Sequence, residues 1–107
     1  MTAWEAIDRA DSLLPNPIGR EEKRRWLSEL EGQLTGQTAE VREDSVLTAE
    51  DPWGELYVHW LQAKCLYFLG EYTRYQNARA QFNGLYLDWT ASRIRAKKPE
   101  TAARLRY

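Results

Sequence analysis

Hydrophobic residues at the start of the chain recur at helical spacing and predict a first helix. The residues that share its apolar face are Ala3, Ile7, Ala10 and Leu14. Thr2 and Glu5 have the spacing of a capping box, in which each side chain bonds to the backbone N–H of the other residue. Pro15 and Pro17 follow, and the sequence therefore predicts that the helix ends near residue 14.

A second helix is predicted from about Arg20 to Leu34. Its apolar stripe consists of Trp26, Leu27, Leu30 and Leu34. Glu21 and Glu22 lie in the first turn, where carboxylates complement the helix dipole, and Glu21 has the spacing to pair with Arg25. Gly36 marks the end. The acidic stretch from 38 to 50 has few apolar residues and predicts a loop, with a strand-like piece near its end.

The longest periodic stretch begins at Asp51, which suits an N-cap, and Pro52, which suits the first helical position. Helical spacing of apolar and aromatic residues continues to Trp89, and Pro99 is expected to end the helix. Ten of the thirteen aromatic residues lie between Trp53 and Trp89. We call residues 53–89 the aromatic segment.

One continuous helix over this stretch would be about 70 Å long, too long for a compact domain of this size. Gly70 is a candidate C-cap, and residues 73–76 have the pattern of a capping box. We therefore expect an all-α, four-helix domain with a long C-terminal helical hairpin that turns near Gly70–Thr73. One long kinked helix, exposed until an oligomer covers it, is the alternative.

Composition places the chain among globular proteins of one domain. It has 107 residues, of which 43% are hydrophobic and 29% charged. We expect a helical domain over residues 1–99 and a short basic tail over 100–107. No apolar stretch approaches the ~20 residues needed to cross a bilayer, so no membrane partner is expected. Cys65 is the only cysteine and is expected to be a small core residue.

Charge is unevenly distributed although the net charge is only −1. From Glu29 to Glu55 there are eight acidic residues against Arg42 alone. From Arg93 to Arg106 there are six basic residues against Glu100 alone. Opposite patches at different places on one subunit favour head-to-tail contacts between copies, which close into rings when the rotation permits. The basic end could equally complement the helix dipole or bind phosphate.

No residue pattern indicates catalysis, and we expect neither an enzyme nor a bound metal or cofactor. His59 has no further metal ligands at suitable spacing, and Cys65 is six residues away, on another helix face. The carboxylates of the acidic stretch lack the alternating spacing and internal glycine of a calcium loop. The candidate functional residues are therefore aromatic and basic ones.

Two sets of candidates result. Large rings with polar tips are common both in cores and at interfaces, and both roles are expected within the aromatic segment. The candidate core and interface residues are Trp26, Trp53, Tyr57, Gly70, Tyr72, Tyr75, Asn77, Phe82, Asn83, Tyr86 and Trp89. The candidate electrostatic docking residues are Arg93, Arg95, Lys97, Lys98, Arg104 and Arg106.

Four runs of residues carry a resemblance to a known family. They are Glu21-Glu22-Lys23-Arg24-Arg25-Trp26-Leu27, Asp51-Pro52-Trp53-Gly54-Glu55-Leu56-Tyr57, Gly70-Glu71-Tyr72-x-Arg74-Tyr75-x-Asn77 and Phe82-Asn83-x-x-Tyr86. Together they resemble the small helical head–tail connector (adaptor, head-completion) proteins of tailed phages and prophages. The resemblance extends from about Ile7 to Pro99.

The resemblance implies a structural subunit that forms a ring beneath the phage portal and links the DNA-filled head to the tail. The implied partners are other copies of the chain, the portal protein, a neighbouring neck or tail protein, and packaged DNA through non-specific contacts. The implied location is the host cytoplasm during assembly and then the virion neck. A small helical DNA-binding or regulatory protein, using the basic end on phosphates, is the alternative function.

Overall fold

The computed structural model describes the backbone of residues 1–105 and the side chains of residues 1–96. It contains four helices: α1 (Ala3–Leu13), α2 (Arg20–Thr35), α3 (Glu55–Phe68) and α4 (Tyr72–Leu105). The described backbone contains no strand, and an isolated bridge between Thr2 and Val46 is its only β pairing. The predicted all-α, four-helix fold is confirmed.

The first two helices have the predicted boundaries. At the start of α1, Thr2 Oγ1 accepts from the Glu5 N–H at 3.3 Å, and Glu5 Oε1 accepts from the Thr2 N–H at 3.1 Å. Helix α2 ends at Gly36, which has a φ of 71°. The expected Glu21–Arg25 pair is wrong, because both residues bond to nearer partners, Arg24 and Glu22, one turn apart at i,i+3.

The prediction that α3 begins at Pro52, with Asp51 as its cap, is also wrong. Residues 51–54 form a turn, in which the Trp53 N–H donates to the Glu50 carbonyl at 2.8 Å. The helix begins at Glu55. The segment before it is already bound to α3, because the Ala49 N–H donates to the Tyr57 hydroxyl at 2.7 Å. That bond holds the chain close to the helix before the helix starts.

Helices α3 and α4 form the predicted hairpin. The Gly70 N–H donates to the Tyr67 carbonyl at 3.1 Å, and the Glu71 N–H donates to the Leu66 carbonyl at 2.9 Å. Gly70 has a φ of 77°, so these bonds form a Schellman motif that ends α3. The alternative of one long kinked helix is wrong, since a left-handed residue stops the helix and reverses the chain.

Helix α3 occupies the centre of the fold. The backbone of α4 contacts α3 and no other helix, whereas α1 and α2 pack against α3 and against each other. This central position explains why α3 is buried on nearly every face. Its fully buried side chains include Leu56, Tyr57, Val58 and Leu61.

Helix α4 is far longer than the helix on which it packs. Its 34 residues extend about 51 Å, against about 21 Å for the 14 residues of α3, and the molecule is 58 Å in its longest dimension. Beyond Trp89, the helix continues past the level of the first residue of α3. The helix also continues past Pro99 to Leu105, so the prediction that it ends at Pro99 is wrong. The residues after Pro99 are mostly good helix formers.

Candidate functional site

The rings of the aromatic segment divide into a buried and an exposed group. Trp26, which joins them from α2, is buried together with Tyr57, Phe82 and Trp89. Among the remaining predicted site residues, Trp53, Tyr75 and Tyr86 are half-buried, and Gly70, Tyr72, Asn77 and Asn83 are exposed. Some of the predicted rings therefore belong to the core and others lie at the surface, while the interface role stays a prediction.

The buried rings join α2, α3 and α4. The indole N–H of Trp60 donates to the Trp26 carbonyl at 2.9 Å, which links α3 to α2. The Trp60 ring lies 5.1 Å from that of Phe82, which in turn stacks on Tyr86 at 5.8 Å. These are the offset and tilted arrangements that aromatic pairs prefer. The predicted signature residues Trp26 and Phe82 therefore hold the fold together.

The exposed rings cluster where α3 turns into α4. We call Tyr67, Phe68, Leu69 and Tyr72 the hairpin tip. Their exposed fractions are 58%, 71%, 44% and 59%, respectively. The Tyr67 ring lies 5.8 Å from that of Tyr72 and 5.3 Å from that of Tyr75, so these three tyrosines form one continuous patch. The Phe68 ring lies beside them in the chain but 6.3 Å from the ring of Trp26 on α2. Contiguous apolar surface of this kind is typical of an interaction site.

Sequence reasoning identified Tyr72 and Tyr75 as candidates but missed the other members of the hairpin tip. A signal was present, because Leu66, Tyr67, Phe68 and Leu69 are four consecutive apolar or aromatic residues. Successive residues on a helix are 100° apart, so four in a row cannot all face one core. Their position in the last turn before Gly70 makes exposure the expected outcome.

Cations surround the rings next to the hairpin tip. The Lys64 ammonium lies 4.9 Å from the Trp60 ring centre and bonds to Glu29 at 3.3 Å. The Arg79 guanidinium lies 5.6 Å from both the Trp60 and the Phe82 rings. A shallow groove runs between these side chains and Tyr75. Aromatic rings with arginine at their edge are a composition that is enriched at protein interfaces.

Helix α4 carries a second apolar surface, on the side turned away from α3. We call Ala80, Gly84, Leu87, Ala91 and Ile94 the outer stripe; these residues recur at steps of four, three, four and three. Leu87 is 66% exposed and Ile94 is 57% exposed. Residues that face the core, such as Phe82 and Trp89, lie on the opposite side of the helix. This spacing is that of a helix that packs along a partner.

A buried polar network fixes the acidic loop, residues 38–50, to the helices. The Glu31 carboxylate accepts hydrogen bonds from the Thr48 N–H at 3.1 Å, the Thr48 hydroxyl at 2.7 Å and the Tyr57 hydroxyl at 2.5 Å. Burial and the bond to Glu31 raise the pKa of Tyr57 well above its ordinary value. The network satisfies each buried group, so its role is structural.

A buried ion pair connects α1 to α2. Lys23 is 1% exposed, and its ammonium lies 2.6 Å from Asp11 Oδ1. Sequence periodicity alone did not identify Lys23 or Glu31 as buried, because it assigns only apolar residues to the buried face of a helix. A partner at the correct distance is what makes their burial tolerable.

The charged regions face different directions. Backbone bonds hold the acidic loop against α1, from the Ala3 N–H to the Ser45 carbonyl at 2.9 Å and from the Trp4 N–H to the Glu43 carbonyl at 3.0 Å. Arg93 and Arg95 are exposed on α4, and the Arg93 guanidinium lies 4.8 Å from the Trp89 ring. The predicted docking residues Lys97, Lys98, Arg104 and Arg106 lie outside the described side chains.

The described side chains contain no group of histidine, cysteine and carboxylate residues that could hold a metal ion. Burial raises the pKa of the Cys65 thiol to about 11, so little of the nucleophilic thiolate forms at neutral pH. None of the described helices is both long and apolar enough to cross a membrane. The candidate functional surfaces are the hairpin tip, the outer stripe and the two charged regions.

Comparison with known proteins does not assign the chain to a family. No protein-family model, curated protein or solved structure gives a significant match to it. A function must therefore be argued from these surfaces and from the motifs in the sequence.

Proposed function

We propose that this protein is a structural subunit of a phage neck, a ring-forming adaptor that links the portal and head to the tail. The observation that carries the proposal is the amount of apolar surface left exposed after the core is complete. Two separate patches, the hairpin tip and the outer stripe, remain on a domain whose four helices already bury their own apolar faces. Surface of this extent is typical of a subunit that assembles with others.

The aromatic composition of the hairpin tip supports a protein partner. Tyr67 and Tyr72 each present a ring with a polar hydroxyl, and Phe68 is the most exposed of the tip residues. Tyrosine and phenylalanine are enriched in the centres of protein interfaces, whereas lysine and glutamate are depleted there. The portal or a neighbouring neck or tail protein is the partner that the proposal assigns to this end of the molecule.

The charge distribution supports assembly by self-association. Exposed carboxylates lie on the acidic loop, and exposed guanidinium groups of Arg93 and Arg95 lie on α4. Repeating one heterologous contact between such patches builds a ring when the rotation closes. The basic residues that follow in the sequence, Lys97, Lys98, Arg104 and Arg106, are assigned to the portal or to the backbone of packaged DNA, which they contact without reading bases.

The proposal is tested by mixing the purified chain with the portal protein encoded beside it. We expect a complex whose mass corresponds to a ring of subunits on the portal ring, measured by native mass spectrometry. A chain that remains a monomer and does not bind its cognate portal contradicts the proposal. The gene neighbourhood is an independent test, since portal and capsid genes should lie upstream.

A small helical DNA-binding or regulatory protein is the second candidate. The protruding basic end of α4, with Arg93 and Arg95 exposed, favours it. The connection between α1 and α2 contains two prolines and does not resemble the short turn of a helix-turn-helix. Tight binding to duplex DNA at physiological salt, with a steep salt dependence, would favour this candidate over the adaptor.

A further inference from the structure

The outer stripe of α4 lacks a covering element in the described part of the chain. Leu87 is on the side of α4 opposite the buried Phe82 and Trp89. The stripe continues along α4 beyond Trp89 to Ile94, which lies at the edge of a groove that Leu34, Tyr86 and Trp89 also line. Leu87 and Ile94 are its two large side chains, and more than half of each is exposed. The small residues Gly84, one turn before Leu87, and Ala91, between Leu87 and Ile94, allow another backbone to come close.

A second exposed apolar residue lies outside α4. Val46, in the acidic loop, is 78% exposed. The loop is held against α1 and α2, and those helices pack on α3 away from the backbone of α4. The outer stripe and Val46 therefore lie on different elements of one copy, and no backbone contact joins α4 to α1 or α2.

The charges around the two surfaces are complementary. Arg95 lies beside the outer stripe, and the sequence continues with Lys97 and Lys98. Val46 follows Glu43 and Asp44, which are exposed and form no salt bridge with the described side chains. One contact between two copies can therefore bury apolar surface and pair opposite charges at its edge.

We propose that the outer stripe of one copy packs against the acidic loop of the next, with Leu87 and Ile94 beside Val46 and with Arg95 facing Glu43 and Asp44. The contact is heterologous, so each copy uses both surfaces and the assembly can continue around a ring. This inference rests on the proposed function, which it extends by naming the surfaces that join neighbouring subunits. The hairpin tip remains available for a different protein.

Pairing of two outer stripes is a weaker solution. An antiparallel arrangement that aligns Leu87 of one copy with Ala91 of the other also aligns Gly84 with Ile94, so it covers most of both stripes. It also places the two Asp88 carboxylates next to each other, because residue 88 flanks the stripe one position after Leu87. Like charges at such positions oppose association, whereas the acidic loop offers opposite charges.

The test uses two charge-reversed variants of the full chain. One carries Arg95→Glu, and the other carries Glu43→Lys together with Asp44→Lys. In a solution of either variant alone, the outer stripe and the acidic loop carry charges of the same sign and repel each other. We therefore expect self-association to weaken by about tenfold or more in low salt, measured by sedimentation equilibrium. An equimolar mixture restores complementary pairs and should associate about as tightly as the wild-type chain.

A matched control separates this effect from a general change in net charge. Arg74→Glu makes the same change on an exposed residue near the other end of α4, and its self-association should equal that of the wild-type chain. Circular dichroism of each variant checks that the helices are intact. Self-association that is insensitive to both reversals, a mixture that fails to recover, or a wild-type chain that stays monomeric at millimolar concentration overturns the inference.

Failure of this inference is distinguishable from failure of the proposed function. If the variants still assemble as rings on the portal with unchanged affinity, the named surfaces are wrong and the adaptor function stands. If the charge-reversed mixture recovers but the wild-type chain does not bind the portal, the named contact is correct and the adaptor function fails.

Discussion

The hydroxyl of Tyr57 on α3 donates a 2.5 Å hydrogen bond to the carboxylate of Glu31 on α2. The same hydroxyl accepts the N–H of Ala49 at 2.7 Å, so one buried oxygen joins two helices and the end of the acidic loop. Tyr57 is fully buried and Glu31 is 6% exposed. The loop that carries the charges proposed for assembly is therefore anchored by a residue of the aromatic segment.

Removing that hydroxyl should destabilise the protein. We expect Tyr57→Phe to lower the free energy of unfolding by about 1–3 kcal/mol, because the Ala49 N–H and a Glu31 oxygen both lose a buried partner. Urea denaturation followed by circular dichroism measures the change. Tyr86→Phe is the control, since no hydrogen bond to a described residue uses its hydroxyl, and it should cost less than about 0.5 kcal/mol. Equal losses in the two variants would contradict the role assigned to Tyr57.

Stability should fall in alkaline solution. The pKa of Cys65 is raised by burial to about 11, and that of Tyr57 is raised too, so in both cases the folded state favours the protonated form. The stability that each group contributes is fully present below its unfolded-state pKa and is lost as the pH rises from there through its folded-state pKa. For Cys65 this occurs between about pH 9 and 11 and amounts to about 2–3 kcal/mol.

Urea denaturation at pH 8 and at pH 11 tests this dependence. The free energy of unfolding should be lower at pH 11, and Cys65→Ala should reduce the difference because it removes one of the two titrating groups. A free energy of unfolding that stays constant or increases from pH 8 to pH 11 would contradict the burial of Cys65 and Tyr57.

Two glycines with similar surroundings should respond oppositely to alanine. No heavy atom would contact a Cβ at either Gly70 or Gly84, so any difference comes from the backbone. Gly70 has a positive φ, and Gly70→Ala should cost about 1 kcal/mol. Gly84 is in a helix interior, where Gly84→Ala should stabilise by about 0.5–1 kcal/mol. Thermal denaturation in high salt, which limits self-association, measures both, and stabilisation at Gly70 would contradict the Schellman turn.

The hairpin tip should matter for binding and little for folding. The double variant Phe68→Ser and Tyr72→Ser removes two aromatic side chains, each of which is more than half exposed in the folded protein. We expect the free energy of unfolding to change by less than about 1 kcal/mol, and binding to the portal or neighbouring neck protein to weaken by about tenfold or more. Leu13→Ser, which removes an exposed apolar side chain from α1, is the control and should bind normally. Unchanged binding in the tip variant would remove this surface from the interface.

The helices were predictable because their signals are local. The Thr2–Glu5 capping box and Gly70 act through neighbouring backbone groups, and the structure places a helix start and a helix reversal at these positions. The first turn of α3 was not predictable in the same way. Asp51 and Pro52 have the local pattern of a helix start, but the helix begins only after a turn that follows the Ala49–Tyr57 hydrogen bond. The partner in that bond lies eight residues away.

The candidate surfaces were only partly predictable. Helical spacing placed Phe82 and Trp89 on one face of α4, and burial of that face follows from the hairpin. The same spacing does not say which apolar residues remain uncovered. Exposure of Phe68 depends on where α3 ends, and exposure of Leu87 depends on which faces of α4 the other described elements cover. Burial of Lys23 depends on Asp11 from another helix. Such relationships arise from packing rather than from sequence pattern.

We propose that this chain is an assembly subunit that forms a ring on a portal, and native mass spectrometry of the full chain mixed with its cognate portal is the decisive measurement. We expect one complex whose mass equals the portal ring plus a fixed number of copies of this chain. High salt should release these copies, because it screens the charged contacts. A chain that stays monomeric and never joins the portal ring, at low or high salt, would show that the proposed assembly is wrong.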